Sequence, residues 1–153
     1  MVPESVIDQV VDKYGESESA LEEALAALEE RQPMLYAYLL SEEFEAFTEE
    51  ERDYLLFLAI AVWQSVETHL GPRPEVTEEQ LNEAEESNWD ALGEIQQARF
   101  RERVSLFFEG YAEEDLLAFI EDALVEDDDT PVTKEGREAL FVSLKSVIDV
   151  LTA

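Results

Sequence analysis

The sequence contains no cysteine, one histidine, three lysines, five glycines and five prolines. Without cysteine there is no disulfide scaffold, no zinc ribbon and no thiol chemistry. The single histidine, His69, excludes a multi-histidine metal cage and the di-iron pattern with two Glu-x-x-His motifs, and it leaves no histidine for a Ser-His-Asp site elsewhere. No glycine-rich phosphate loop, Walker sequence or dinucleotide fingerprint occurs. Long apolar runs are missing too. The longest, Tyr54 to Trp63, has ten residues, against the roughly 20 that a bilayer span needs. The opening Met1-Val2-Pro3-Glu4-Ser5 has neither a basic nor an apolar leader region. These features lead us to expect a soluble, cytoplasmic protein with no membrane partner.

What is present is acid and apolar bulk. Of 153 residues, 46% are hydrophobic and 10% aromatic, enough for one domain with a real core. Acidic residues number 39 and basic residues 10, a formal net charge of -29. Lysine is confined to Lys13, Lys134 and Lys145. Such a surface repels itself in dilute buffer. At about 1 M salt the screening length falls to roughly 3 Å and most of that repulsion disappears. Acid-rich, lysine-poor surfaces resemble those of proteins from cells that keep molar salt, so salt adaptation is the expected meaning of the charge. With no basic stripe, direct nucleic-acid binding is not expected.

Helical signals dominate, and the expected fold is an all-α helical bundle in a single domain over residues 1–153. Pro3 opens a first helix that Gly15 ends, and Ser19-Ala20-Leu21-Glu22 has the spacing of a capping box for a second. Pro33 suits the first turn of a third. Thr48-Glu49-Glu50-Glu51 caps a helix that Gly71-Pro72-Arg73-Pro74 stops, and Thr77-Glu78-Glu79-Gln80 opens a short linker helix to about Glu86. A long helix is expected from Asn88 to Glu109 before Gly110, another from Glu113 to Val125, and a last one from Thr133 to Leu151.

Two stretches match internally. Thr48-Glu49-Glu50-Glu51-Arg52-Asp53-Tyr54-Leu55-Leu56 and Thr133-Lys134-Glu135-Gly136-Arg137-Glu138-Ala139-Leu140-Phe141 share Thr-x-Glu-x-Arg-acid-x-Leu-apolar. Upstream, Leu35-Tyr36-Ala37-Tyr38-Leu39 resembles Leu116-Leu117-Ala118-Phe119-Ile120. We therefore expect two pseudo-repeated three-helix units, 18–70 and 88–151, joined by residues 71–87 and preceded by an N-terminal helix.

The last helix differs from the rest. Residues 133–153 are neutral, so the whole charge lies in residues 1–132. The apolar residues there cover more than one stripe, which suits a central core helix. The sharper alternative is an interface or homodimer helix presenting Phe141, Leu144, Ile148 and Leu151.

Few residues carry chemistry. On the expected Asn88–Glu109 helix, a step of about 100° per residue places Gln96 and Arg103 on the side of Trp89, Leu92, Phe100, Val104 and Phe107. A polar group there needs a partner. Arg103 is expected to lay its stem on the core and meet a glutamate from another helix. The functional alternative is an interaction or anion site of Gln96, Arg99 and Arg103. His69, in the last turn of its helix, is read as a surface residue, and Trp63 and Trp89 as core residues. Of Tyr36 and Tyr38, one should be buried and the other more exposed. The acidic run Glu126–Asp129 lacks the order of an EF-hand loop and is read as solvated rather than cation-binding.

No catalytic residue, cofactor site or metal site stands out. The expectation is a non-enzymatic protein-interaction module from a salt-adapted cytoplasm, meeting a protein partner or a second copy through an interhelical groove or the last helix. The alternatives are an acidic nucleic-acid mimic that inhibits a basic DNA- or RNA-binding protein and, more remotely, a carboxylate–metal enzyme.

Overall fold

The capping boxes and stop signals become helices in the computed structural model, which describes residues 1–41, 47–94, 100–125 and 134–153, the side chains of 134 and 135 excepted. The described residues form eight α-helices and no strand, so the chain is all-α. They are α1 (Glu4–Glu16), α2 (Glu18–Arg31), α3 (Pro33–Leu39), α4 (Glu49–Leu70), α5 (Glu78–Gly93), α6 (Phe100–Ser105), α7 (Glu114–Val125) and α8 (Lys134–Leu151). A 3-10 turn, Leu106–Phe108, follows α6. No described helix is long and apolar enough to cross a membrane.

Local chemistry accounts for most of the boundaries. Thr48 and Thr77 each form a complete capping box, with Glu51 and Gln80 respectively, which satisfies first-turn amides that have no partner within the helix. Gly71 ends α4 at φ 82, a left-handed conformation that suits glycine. The cap of α2 is Ser17 rather than Ser19. Ser17 is extended and its hydroxyl accepts from the Ala20 amide at 3.2 Å, while Ser19 already lies within the helix. Gly15 does not stop α1, which continues to Glu16.

The expected break near residues 86–88 is absent. One helix, α5, runs through it, and the stretch expected as a long 88–109 helix is divided between the end of α5 and α6. The inward stripe of α5 is Leu81, Glu85, Asn88 and Leu92. Two of these four are polar, and each is bonded. Tyr38 of α3 donates to Glu85 at 3.0 Å. The Asn88 side-chain amide donates to Ser146 of α8 at 3.0 Å and to Asp149 at 3.1 Å. Trp89, one step off that stripe, is 40% exposed rather than part of the core.

The core sits around α8. Nine consecutive residues, 140–148, are buried, which requires neighbours on every side of the helix. Those neighbours are α4, α5 and α7. Within α4, the run Leu58 to Trp63 is buried in the same way. α1 packs on α4, α7 and α2. Phe141 lies among aromatic rings, 5.8 Å from Phe100 edge-on and 5.6 Å from Phe107.

The proposed halves are not packed alike, since α7 lies on α8 whereas α3 lies chiefly on α2 and α5. Side-chain clamps hold the links. Buried Gln32 donates to the Pro74 carbonyl at 3.1 Å and accepts from the Val76 amide at 2.9 Å. Arg73 donates to the Leu151 and Ala153 carbonyls, at 2.7 and 2.9 Å, closing the end of α8.

Candidate interaction groove

α7 has more apolar surface than the core can take. Its residues Leu116, Leu117, Ile120 and Leu124 are buried, yet Ala118, Phe119 and Ala123 remain half-exposed. They face a groove of about 500 Å³ bounded by α1, α4 and α7. α1 lines it with Glu4, Ile7, Asp8 and Val11, one side of two helical turns. α4 supplies Tyr54, Phe57 and Leu58, and α7 supplies Asp115, Ala118, Phe119, Asp122 and Ala123.

Hydrogen bonds fix both ends of this groove. At one end, Glu113 accepts from the Val2 amide at 2.8 Å and Asp115 from the Glu4 amide at 3.1 Å. These carboxylates sit where amides at the start of α1 point outward, so they tie the first turns of α1 and α7 together. At the other end, the Tyr54 hydroxyl donates to the Ala123 carbonyl at 2.8 Å, satisfying one of the last carbonyls of α7.

The lining pairs an apolar floor with acidic margins. Glu4 and Asp8 stand one turn apart on α1, and Asp115 and Asp122 two turns apart on α7. Glu4, Asp8 and Asp122 are exposed, whereas Asp115 is half-buried. Asp122 pairs with Arg101 at 3.0 Å, with both side chains more than half exposed. Beside it, partial burial pushes the Glu121 carboxyl above its ordinary value, opposed by Arg101 and assisted by Asp122. Among the described residues, no three His, Asp or Glu side chains are gathered closely enough to hold a metal ion. The lining holds no serine, threonine, histidine or lysine.

The residues singled out in the sequence lie elsewhere. Gln96, Arg99 and the acidic run Glu126–Asp129 fall outside the described residues. Arg103 pairs with Glu138 of α8 and donates to the Leu92 carbonyl at the end of α5, at 3.0 Å. Phe141, Leu144, Ile148 and Leu151 are all at most 1% exposed. They are enclosed by α4, α5 and α7, so no partner reaches them without opening the fold. His69 is exposed in the last turn of α4. Tyr38 is buried and Tyr36 half-exposed.

The groove went unnoticed in the sequence because its walls come from helices far apart in the chain. The sequence signal for it is the surplus of apolar residues on α7. Comparison with known protein families, with curated proteins and with solved structures finds no match.

Proposed function

We propose that the chain is a non-enzymatic protein-interaction module adapted to molar salt, and that it takes a partner's apolar side chains into the α1–α4–α7 groove. The observation that carries this is the half-exposed floor of Val11, Phe57 and Phe119 between acidic margins. Apolar concavities rimmed by polar groups mark binding sites far more often than isolated exposed side chains do. The polar lining groups are carboxylates and a tyrosine already bonded to a carbonyl, which suits recognition better than turnover. The net charge of -29 is read as habitat: it keeps the surface hydrated when salt has screened its self-repulsion. The matching segments at 48–56 and 133–141 are read as a duplication whose copies have since taken different neighbours.

Selection from a displayed library of helical peptides, unrestricted in charge and performed at about 1 M KCl, tests the groove. Binders should lose affinity for Phe119→Ser and keep it for Glu22→Gln, an exposed change on α2. A library that yields no binder, or only binders indifferent to Phe119→Ser in a variant that still melts cooperatively, contradicts the proposal.

A further inference from the structure

We infer that the occupant of the groove is a basic amphipathic helix of two to three turns, an inference that rests on the groove being the interaction surface. Three observations lead there. The first is length. The α1 wall runs from Glu4 to Val11 and the α7 wall from Asp115 to Ala123, which at about 1.5 Å per residue is roughly 10–12 Å, or two turns of a facing helix. The second is backbone chemistry. The described residues contain no strand and hence no sheet edge. An extended peptide would lay unpaired amides and carbonyls on the apolar floor, whereas a helix satisfies its own and presents side chains at i, i+3, i+4 and i+7.

The third is charge on both sides of the stripe. Glu4 and Asp8 flank the floor on α1, and Asp115 and Asp122 flank it on α7. Asp115 already accepts from the Glu4 amide and Asp122 already pairs with Arg101, so a partner's arginine or lysine meets Glu4 and Asp8 on the α1 margin directly and Asp122 only in competition with Arg101. A second copy of this chain is a poor occupant, because with 10 basic residues against 39 acidic ones it has few cations to set against these carboxylates. In molar salt the exposed pairs are screened, so the apolar floor holds the affinity there and the carboxylates add selectivity only where a cation touches them directly.

The test uses the full chain and synthetic helical peptides of about 15 residues, long enough to hold a helix once docked. One peptide has leucine anchors flanked by arginine. A second has the arginines replaced by glutamine, a third by glutamate, and a fourth scrambles the first so that its apolar stripe is lost. Affinity is read by fluorescence anisotropy at several KCl concentrations, for the wild type, Asp8→Lys and Phe119→Ser. Circular dichroism confirms that each variant is folded, and Asp8 is exposed, so its reversal leaves the core untouched.

The expected result is tightest binding of the arginine peptide, weakened at least about tenfold in its glutamate counterpart and by Asp8→Lys, where like charges meet, and by Phe119→Ser, where an apolar contact is lost. Its affinity should fall with the first additions of salt and then level off. Equal binding of the glutamine and glutamate peptides, with sensitivity to Phe119→Ser alone, overturns the basic partner and leaves the groove as the binding surface. Equal binding of the scrambled peptide, indifferent to Phe119→Ser, overturns the inference as diffuse charge attraction. Binding by no peptide at any salt concentration overturns both the inference and the groove.

Discussion

The Lys145 ammonium of α8 donates to the Asn88 side-chain carbonyl of α5 at 3.0 Å. It also donates to Asp149 at 3.0 Å and stands over the rings of Phe107 and Tyr111, 5.4 and 4.6 Å from their centroids. The Asn88 amide is in turn used by Ser146 and Asp149. This network lets a helix as polar as α5 dock on α8, whose residues 140–148 are all buried. Polar groups taken out of water are tolerated there because they find partners.

Removing one member should therefore cost more than its own bonds. Asn88→Ala is expected to lower stability by about 1–3 kcal/mol, the cost of leaving buried partners unmet. Lys145→Met should cost somewhat less than the ~3–5 kcal/mol of a fully buried broken pair, because Asp149 is 27% exposed. In Asn88→Ala/Lys145→Met the loss should be smaller than the sum of the single losses. Urea unfolding of the four proteins checks this, and strict additivity would show that the two residues act independently.

The same network explains how far the fold was legible. Thr48 with Glu51, Gly71, Pro33 and Thr77 with Gln80 mark helix ends through local bonds that need no tertiary context, and these ends were readable. The course of α5 was not, because its inward stripe of Leu81, Glu85, Asn88 and Leu92 breaks the apolar periodicity on which such readings depend. Glu85 and Asn88 become core residues only through Tyr38, Ser146 and Lys145, which lie 47, 58 and 57 positions away. The groove was hidden for the same reason. Ile7, Phe57 and Phe119 form one floor only after α1, α4 and α7 have packed together.

Truncation of the central helix should be severe and specific. Phe141 is fully buried against Phe100 and Phe107, so Phe141→Ala should cost about 3–5 kcal/mol. Leu70→Ala, at a side chain 41% exposed, should stay within about 0.5 kcal/mol. Thr48→Ala, which removes half of a capping box, should fall between them at about 1 kcal/mol. Chemical denaturation orders the three, and a Phe141 loss no larger than that of Thr48 would contradict a core centred on α8.

Alkaline pH should unfold the protein through its tyrosines. Burial raises the Tyr14 hydroxyl from 10.0 to about 12. Tyr111 is pushed higher still, by burial first and then by its bond to Asp149 and the charges of Asp149 and Glu113. Between pH 10 and 12 the folded form keeps the Tyr14 proton that the unfolded chain gives up. The stability it contributes is complete below pH 10 and is lost as pH rises toward 12. Ultraviolet titration should show late tyrosinate formation that coincides with loss of helicity, and Tyr14→Phe should remove part of that pH dependence.

Salt should act on the surface and acid on Glu121. Melting temperature is expected to rise steeply with KCl up to about 1 M, where screening has shortened to roughly 3 Å. A variant with Glu22, Glu29, Glu83 and Glu86, all exposed, changed to Gln should need less salt for the same melting temperature. The Glu121 carboxyl lies above its ordinary value, chiefly through burial. Its ionised form is thus disfavoured in the fold, and stability rises as pH falls through the raised value toward the unfolded one. Glu121→Gln should accordingly melt higher than wild type at neutral pH in dilute buffer. An unchanged or lower melting temperature would contradict that assignment.

The most direct measurement is where a bound helix lands. Amide chemical shifts of the isotope-labelled chain, followed in about 1 M KCl while the arginine-flanked peptide is added, report this residue by residue. A helix seated in the groove should give saturable shifts concentrated in 4–11, 54–58 and 115–123, the three walls of the groove. Shifts centred on α5 and α8, or spread thinly over the acidic surface without saturation, would contradict it.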